Sequence, residues 1–251
     1  MLESGISALD EMIGGGFLSG TCTLISGPSG VGKSTISMQF LSTAASKGIK
    51  GAIYTFGEGT PSILSRARAL RIPLEERLED GSITIREVNA LEFYPDEFLQ
   101  IVHEDMQRNN IKLVVLDSLR GYCLAMEEHG NLTANMHNLV NYLRRNRVGI
   151  LLVNEIEKLT GDLRITDLGV SYLADNVLMI RYAEYNGEVI KVISCLKKRL
   201  GDFEPELREF RITTQGIQVG EKLRHLRGVL TGVPIAETTA RKLNTAQEND
   251  K

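Results

Sequence analysis

The chain has 251 residues, a length that suits one large domain or two small ones. Lys and Arg together number 29 against 32 Asp and Glu, so the net charge is -3 at pH 7. This balance argues against a protein that binds nucleic acid through bulk positive charge. The three cysteines lie far apart and form no CxxC pair, and no apolar run approaches the roughly 20 residues of a membrane span. We therefore expect a cytoplasmic protein without a membrane partner, a zinc site or a disulfide framework.

Short apolar runs alternate with amphipathic stretches along the first two thirds of the chain. Helical spacing of apolar residues predicts helices at Ser34–Ser46, Pro61–Leu70, Asp96–Arg108 and Thr133–Arg147. The apolar runs predict strands at Thr21–Ser26, Ala52–Phe56, Ile83–Val88, Lys112–Asp117 and Gly149–Asn154. Unbroken apolar runs are typical of strands covered on both faces in a parallel sheet. The alternation predicts an α/β fold with right-handed crossovers.

The pattern changes after Gly169. Strands are predicted at Val177–Arg181, Val189–Leu196 and Arg208–Ile212, with hairpin signals at Asn186-Gly187 and Gly201-Asp202. We expect them to form an antiparallel extension on the edge of the sheet. The last residues are polar and lack periodicity, which predicts one domain over residues 1–235 and a flexible tail over 236–251.

The sharpest motif is a full match to GxxxxGK[ST], placed between a predicted strand and a predicted helix. In such a loop, glycines let consecutive backbone N–H groups surround phosphates, and the helix N-terminus adds partial positive charge. Lys33 is expected to bridge the β- and γ-phosphates of ATP, and Ser34 to bind Mg²⁺. The predicted nucleotide-binding residues are Gly27, Pro28, Ser29, Gly30, Val31, Gly32, Lys33, Ser34 and Thr35.

Two carboxylates follow strands that end near this loop. Asp117 ends the run KLVVLD, where a second Mg²⁺-binding group is expected; an ordinary strand-end acid is the alternative. Glu58 follows the second strand at the edge where ligands collect in parallel sheets. It is a candidate for orienting the attacking water, and a solvated loop carboxylate is an equally good interpretation.

With these residues in view, the chain resembles the KaiC-like branch of the RecA/RadA superfamily of ATPases. The resemblance covers nearly everything from Ser4 to about Pro234 and implies a RecA-like P-loop domain. It rests on SGISALDEMIGGGFLSG, GPSGVGKST, FGEGTP, VVLDSL, LLVNE, YLADNVLMIRY, KKRLGD, REFRIT and LRGVLTGVP, in that order.

The resemblance implies a homo-oligomeric ring, usually a hexamer, with ATP and Mg²⁺ held between neighbouring subunits. Lys33, Ser34 and Asp117 match one half of that site. Lys197 and Arg199 match a K-x-R pair that reaches the γ-phosphate of the neighbouring subunit. Phe203 stands where clock members of the family carry a histidine. Taken without the resemblance, the basic run would be an ordinary solvated turn.

The resemblance also sets expectations about rate and about phosphorylation. The family commonly carries paired glutamates after the second strand, whereas here Gly59 follows Glu58, which predicts slow hydrolysis of ATP. Clock members phosphorylate an adjacent Ser–Thr pair that falls on Ser171 and Tyr172, with Thr166 nearby. Ser171 is thus a candidate phosphoacceptor, and simple packing or capping by these residues is the favoured alternative.

The main functional hypothesis is a ring-forming ATPase that acts as a switch on a protein partner of unknown identity. The alternatives are a RadA-type DNA-dependent ATPase and a scaffold that binds ATP to assemble but barely hydrolyses it. Both segments that could line a ring channel, Leu119–His137 and Glu155–Val170, are net acidic, which speaks against nucleic acid as the partner. Arg144, Arg145 and Arg147 are interpreted as a solvated helix end.

Overall fold

The computed structural model describes residues 1–89, 94–126, 131–156, 170–185, 187–224, 226–227, 229 and 235–236. The strands are β1 (Cys22–Gly27), β2 (Gly51–Thr55), β3 (Ile83–Glu87), β4 (Leu113–Asp117), β5 (Gly149–Glu155), β6 (Asn176–Tyr185), β7 (Glu188–Lys198), β8 (Arg208–Thr213), β9 (Gly216–Lys222), β10 (Leu226–Arg227) and β11 (Ile235–Ala236). The helices are α1 (Ser7–Met12), α2 (Lys33–Ser46), α3 (Thr60–Ala69), α4 (Leu74–Glu79), α5 (Pro95–Asn109), α6 (Leu119–Met126) and α7 (Leu132–Arg145), with one 3-10 turn at Val170–Leu173.

One sheet organises the fold. Nine strands pair in the order β3-β2-β4-β5-β1-β6-β7-β8-β9, and β10 pairs separately with β11. The first six strands in this order, β3 to β6, are parallel to one another. The last three strands, β7, β8 and β9, each pair antiparallel with the strand before them. The predicted α/β class with a mostly parallel sheet and an antiparallel extension is confirmed.

The beginning of the antiparallel extension differs from expectation in two ways. β6 is itself parallel to β1, so the extension begins only at β7. The pairing of Tyr185 with Glu188 confirms the first hairpin, whereas Gly201-Asp202 lies in a longer connection between β7 and β8, not in a tight turn. In that connection the Asp202 carbonyl accepts a hydrogen bond from the Lys198 ammonium, which ties the chain to its own strand.

Helices cover both faces of the sheet. On one face, Ile36 and Phe40 of α2 pack with Ile25 and Val115 of the strands. On the other face, Phe98 of α5 and the apolar side of α7 pack on alternate strand residues. Because each central strand is buried on both sides, β1 and β2 contain only buried residues. Each large apolar side chain removed from water here contributes about 1.5–3 kcal/mol, which explains the unbroken apolar runs in the sequence.

Several short elements have no counterpart in the sequence prediction. These are α1, α4, α6, β9, β10 and β11. The prediction of a channel-lining loop at Leu119–His137 is wrong for its described part, because α6 and the start of α7 occupy it. Of the second predicted loop, residues 157–169 lie outside the described residues, as does Thr166. Among the residues described, none of the helices is long and apolar enough to span a membrane.

The domain boundary at residue 235 stays a prediction. β11 extends to Ala236, one residue past that boundary, and pairs with β10. The rest of the predicted tail, residues 237–251, lies outside the described residues.

Candidate active site

The glycine-rich loop connects β1 to α2, as the motif predicts. Gly30 and Gly32 have positive φ angles of 72° and 114°, a backbone region that side chains other than glycine rarely adopt. A Cβ atom at Gly27 would lie 2.2 Å from the carbonyl oxygen of Ile180 on the neighbouring strand. The glycines are therefore required by backbone conformation and by close strand packing. Together they hold the loop at the N-terminus of α2, where backbone N–H groups attract anions.

The loop forms one wall of a cavity of about 290 Å³. Lys33 and Ser34, predicted from the loop motif, and Asp117, predicted from the end of an apolar run, all line it. The complete lining is Ser29, Gly30, Gly32, Lys33, Ser34, Thr35, Arg66, Asp117, Ser118, Val153, Glu155 and Ile212. Asp117 is in place because β4 is parallel to β5, which in turn pairs with β1, so the carboxyl ends of the three strands meet at one edge.

The charges in this cavity influence one another. Burial lowers the pKa of the Lys33 ammonium, and the nearby carboxylates of Glu155 and Asp117 oppose that effect. Burial also raises the pKa of Asp117, against which a hydrogen bond from Ser34 and the positive charge of Arg66 act. The Lys33 Nζ donates a hydrogen bond of 2.7 Å to the carbonyl oxygen of Pro28, across the loop.

This donor set fits a nucleotide phosphate with its magnesium ion. Ser34 and Asp117 offer the oxygen ligands that Mg²⁺ prefers, and they already hydrogen-bond each other. Lys33, the loop backbone and the start of α2 supply the positive charge that phosphates need. Ser34 and Asp117 would therefore hold Mg²⁺ in the same cavity in which Lys33 and the loop backbone would hold the phosphates.

Glu58 lies beside this cavity and does not line it. Its carboxylate accepts hydrogen bonds from the Arg66 guanidinium at 3.0 and 2.8 Å and from the Ser62 hydroxyl at 2.7 Å. Glu58 lines a second cavity of about 500 Å³ at the ends of β2 and β3, together with Glu87. Glu58 is close enough to Asp117 for its charge to raise the pKa of that carboxyl.

Two charged residues that line the cavity beside the phosphate loop were not predicted from the sequence as site residues. Glu155 is the last residue of β5, and the rule that ligands collect at the carboxyl ends of parallel strands could have identified it. Arg66 lies in the middle of α3, and no motif marks it. Only the packing of α3 beside the loop brings its guanidinium to the cavity.

Comparison with known proteins identifies the family to which the chain belongs. A family model described as "ATPase: KaiC" matches residues 2–224. The chain belongs to the KaiC family of ATPases. It is 26% identical over 238 residues to the circadian clock oscillator protein KaiC of Parasynechococcus marenigrum, covering 95% of this chain and 46% of that protein. It is also 26% identical over 241 residues to the circadian clock protein KaiC3 of Synechocystis sp., covering 93% of this chain and 46% of the relative.

A third relative also matches nearly all of this chain but only about half of its own length. The circadian clock oscillator protein KaiC of Thermosynechococcus vestitus is 24% identical over 246 residues, which are 98% of this chain and 47% of that protein. The chain thus spans about half the length of the curated relatives it matches.

In this KaiC-family chain, the K-x-R pair lies at the opposite end of the sheet from the phosphate loop. Val177 pairs with Lys197 at the start of β6, and the neighbouring Asn176 pairs with Thr23 of β1. Thr23 precedes Gly27 by four residues, which places this end about 13 Å from the loop at 3.3 Å per residue. Neither Lys197 nor Arg199 lines the cavity of its own chain.

Both side chains of the pair contact the segment before β6. Lys197 Nζ donates a 2.6 Å hydrogen bond to the Ala174 carbonyl oxygen. The Arg199 guanidinium lies 3.6 Å from the Asp175 carboxylate and 3.4 Å from the Tyr172 carbonyl oxygen. Its side chain is half-exposed. Phe203, at the family's histidine position, packs against the core.

The interpretation of Arg144 as part of a solvated helix end is wrong. Its guanidinium donates a 2.7 Å hydrogen bond to the Asp175 carboxylate and a second one to the Leu173 carbonyl oxygen. The apolar face of α7 packs on the sheet, and this directs the end of the helix towards the segment before β6. Arg145 is exposed, as expected.

Ser171 lies in the 3-10 turn that precedes this segment. Its carbonyl oxygen accepts a hydrogen bond from the Ala174 amide, and the neighbouring Tyr172 ring is half-exposed. Ser171 therefore shares the end of the sheet with Lys197 and Arg199 and lies away from the phosphate loop of its own chain.

Proposed function

We propose that this chain binds Mg²⁺ and ATP at the phosphate loop and hydrolyses ATP slowly at the interface between subunits of a homohexameric ring. The observation that carries the proposal is the separation of its two halves. Lys33, Ser34 and Asp117 meet in one cavity, whereas Lys197 and Arg199 lie at the other end of the sheet. A pair so placed can reach a γ-phosphate only on another subunit.

The phosphate-loop half binds and orients the nucleotide. Lys33 contacts the β- and γ-phosphates, exchanging its present bond to Pro28 for phosphate oxygens. Ser34 and Asp117 hold Mg²⁺, which when bound neutralises charge that develops on the phosphate oxygens. The loop N–H groups fix the triphosphate at the start of α2.

The second half comes from the neighbour. Arg199 is half-exposed and held by a long 3.6 Å contact to Asp175, so its guanidinium can turn outward at low cost. An arginine supplied in this way stabilises the charge of the transferring phosphoryl group. Lys197, near the end of β7 and two residues before Arg199, adds a second positive charge.

Glu58 remains the proposed residue that orients the attacking water. It follows β2 at the carboxyl edge, near enough to Asp117 to affect its pKa. Its carboxylate is held by Arg66, and Gly59 offers no second acid, which together support a slow rate.

Mixed rings test the intersubunit site. Lys33→Ala subunits lack the phosphate-loop half, and Arg199→Ala subunits lack the donated half. Each variant alone should release no phosphate. An equimolar mixture should recover activity, because about one quarter of randomly formed interfaces pair an intact loop with an intact arginine. Inactive mixtures of co-assembled subunits would overturn the intersubunit site.

Size-exclusion chromatography with light scattering, with and without Mg-ATP, tests assembly on the same samples. A ring that forms with ATP and releases phosphate supports the proposal. A ring that forms without phosphate release favours the nucleotide-gated scaffold. An increase in rate on adding single-stranded DNA would favour the RadA-type alternative.

Ser171 is a second candidate function, as a phosphoacceptor. It lies beside the residues proposed to meet the neighbour's γ-phosphate, because Arg199 contacts the carbonyl oxygen of Tyr172. Mass spectrometry after incubation with ATP tests this role. A lack of phosphate on residues 160–180 would exclude it. A phosphorylation switch would suit action on a protein partner.

A further inference from the structure

Arg66 lies between the carboxylate proposed to orient water and the cavity proposed to hold ATP. We propose that Arg66 exchanges one partner for another: it binds Glu58 when no γ-phosphate is present and binds the γ-phosphate when ATP enters. The chain's own arginine would thereby release Glu58 only in the presence of ATP. The inference rests on the proposed binding of ATP at the phosphate loop.

Arg66 contacts Glu58 and also lines the cavity proposed to hold ATP. Its two terminal nitrogens donate to the two Glu58 carboxylate oxygens, at 3.0 and 2.8 Å. The same side chain lines the cavity with Lys33, Ser34 and Asp117. The third guanidinium nitrogen, Nε, is buried and has no hydrogen-bond partner among the described residues. The two terminal nitrogens are therefore the donors that Arg66 would transfer from Glu58 to a γ-phosphate.

The chemistry of the two partners allows the exchange. A guanidinium presents a planar fork of donors that fits either a carboxylate or a phosphate in a bidentate manner. A γ-phosphate carries more negative charge than one carboxylate, and it would enter a cavity to which Lys33 and Arg66 both contribute positive charge. Both side chains of the pair are about one third exposed, so the existing ion pair is weakened by solvent.

The exchange would also distinguish ATP from ADP. ADP fills the α- and β-phosphate positions and leaves the third position empty, so Arg66 would keep its bond to Glu58. With ATP bound, Glu58 would retain only the 2.7 Å bond from the Ser62 hydroxyl and be free to accept a proton from water. Glu58 would thus be available to orient the attacking water only when ATP is bound.

A purely structural ion pair makes a different prediction. If Arg66 and Glu58 only stabilise the start of α3, removing either one should have the same effect on nucleotide binding. If the two groups compete as proposed, the effects have opposite signs. Glu58→Gln releases Arg66 and should tighten ATP binding, whereas Arg66→Gln removes a phosphate contact and should weaken it.

The experiment measures dissociation constants, with Mg²⁺, for ADP and for the non-hydrolysable ATP analogue AMP-PNP. Arg66→Gln should weaken AMP-PNP binding by about tenfold or more, because it removes hydrogen bonds between two charged groups. Glu58→Gln should tighten AMP-PNP binding severalfold. ADP binding should change by less than about twofold in both variants, and Arg66→Lys should fall in between.

Arg68→Gln is the matched control. Arg68 lies on the same helix but pairs with Glu75 in an exposed position and does not line the cavity. It should leave both dissociation constants unchanged. Equal losses for AMP-PNP and ADP in Arg66→Gln, or weaker AMP-PNP binding in Glu58→Gln, would overturn the exchange. If the unaltered protein binds neither nucleotide, the proposed function itself fails and the exchange fails with it.

Discussion

The Arg144 guanidinium donates a 2.7 Å hydrogen bond to the Asp175 carboxylate and so connects the end of α7 to the segment before β6, which Arg199 contacts. The same Asp175 oxygen accepts a hydrogen bond from the backbone amide of Cys22, at the start of β1. The Asp175 carbonyl oxygen accepts another from the Arg199 amide. A single carboxylate residue therefore positions the proposed donated arginine relative to the sheet.

Replacing Arg144 should cost stability, whereas replacing its neighbour should not. Arg144→Gln should lower the free energy of unfolding by about 1–3 kcal/mol, since it removes hydrogen bonds to a charged partner that is mostly buried. The exposed Arg145→Gln should change it by less than about 0.5 kcal/mol. Urea unfolding of both variants measures the difference. Equal effects would mean that the bond to Asp175 contributes nothing specific.

Gly32 should tolerate no side chain. Its φ angle is 114°, and an added Cβ would lie 2.4 Å from Ile212 Cδ1 and 3.0 Å from the Phe210 ring. Gly32→Ala combines backbone strain with this overlap and should destabilise the protein by more than about 2 kcal/mol. Because β8 would be displaced from the phosphate loop, ATP binding should be lost as well.

Gly48→Ala is the control for that substitution. Gly48 has a φ angle of 78°, and an added Cβ there meets nothing within 4 Å. It should show only the backbone strain, about 1 kcal/mol, with ATP binding intact. Thermal unfolding and nucleotide titration of both variants separate the two effects. If Gly32→Ala lowers stability and ATP binding no more than Gly48→Ala does, the packing of β8 on the phosphate loop contributes to neither.

The buried cysteines should be unreactive in the folded protein. Burial raises the pKa of the Cys22 thiol to about 12 and that of Cys195 to about 11, so little thiolate is present near neutral pH. Cys123 is only partly buried. A thiol reagent such as DTNB should therefore label at most one of the three cysteines before unfolding and all three after it. Rapid labelling of two or more sites would contradict the burial of β1 or β7.

Acid should weaken the attachment of α3, the helix that carries Arg66. The Glu87 carboxylate accepts a 2.6 Å hydrogen bond from the Thr60 amide at the start of this helix, and that bond lowers the pKa of Glu87. A carboxyl group whose pKa is lower in the folded state than in the unfolded state stabilises the folded protein at pH values above its unfolded pKa. That stabilisation is lost as the pH falls from the unfolded pKa, about 4.3 for Glu, through the lower folded pKa.

Glu87→Gln tests this pH dependence. The variant should be less stable than the unaltered protein at pH 7, and the difference should shrink below about pH 4. Unfolding curves at several pH values give the comparison. A difference that stays constant with pH would show that the carboxylate charge has no part in capping α3.

The sequence predicted the elements whose signals are local. The parallel strands were evident because burial on both faces requires unbroken apolar runs such as that of β4. The phosphate loop was evident because its backbone conformation needs glycine at fixed spacings, as at Gly30 and Gly32. Asp117 could be placed beside the loop because parallel strands bring their carboxyl ends to one edge.

Elements with weaker local signals were missed or misplaced. Six-residue helices such as α1 and α4 contain fewer than two turns, too few for an apolar period to stand out. The segment after β4 was expected to be a loop and forms α6, because Tyr122 and Met126 are buried against one face of the sheet. That burial depends on neighbours distant in the chain.

The tertiary structure alone decided which charged groups meet. Arg144 and Asp175 are 31 residues apart, and the pair forms because α7 packs along the sheet and ends beside the turn before β6. Arg66 and Glu58 face each other across two turns of α3, and only the packing of that helix brings Arg66 to the cavity. Charge pairing requires side chains within a few ångströms of each other, a condition set by packing and invisible to periodicity or motif. The sequence by itself determined the strand–loop–helix that suits phosphate binding, while packing determined what surrounds it.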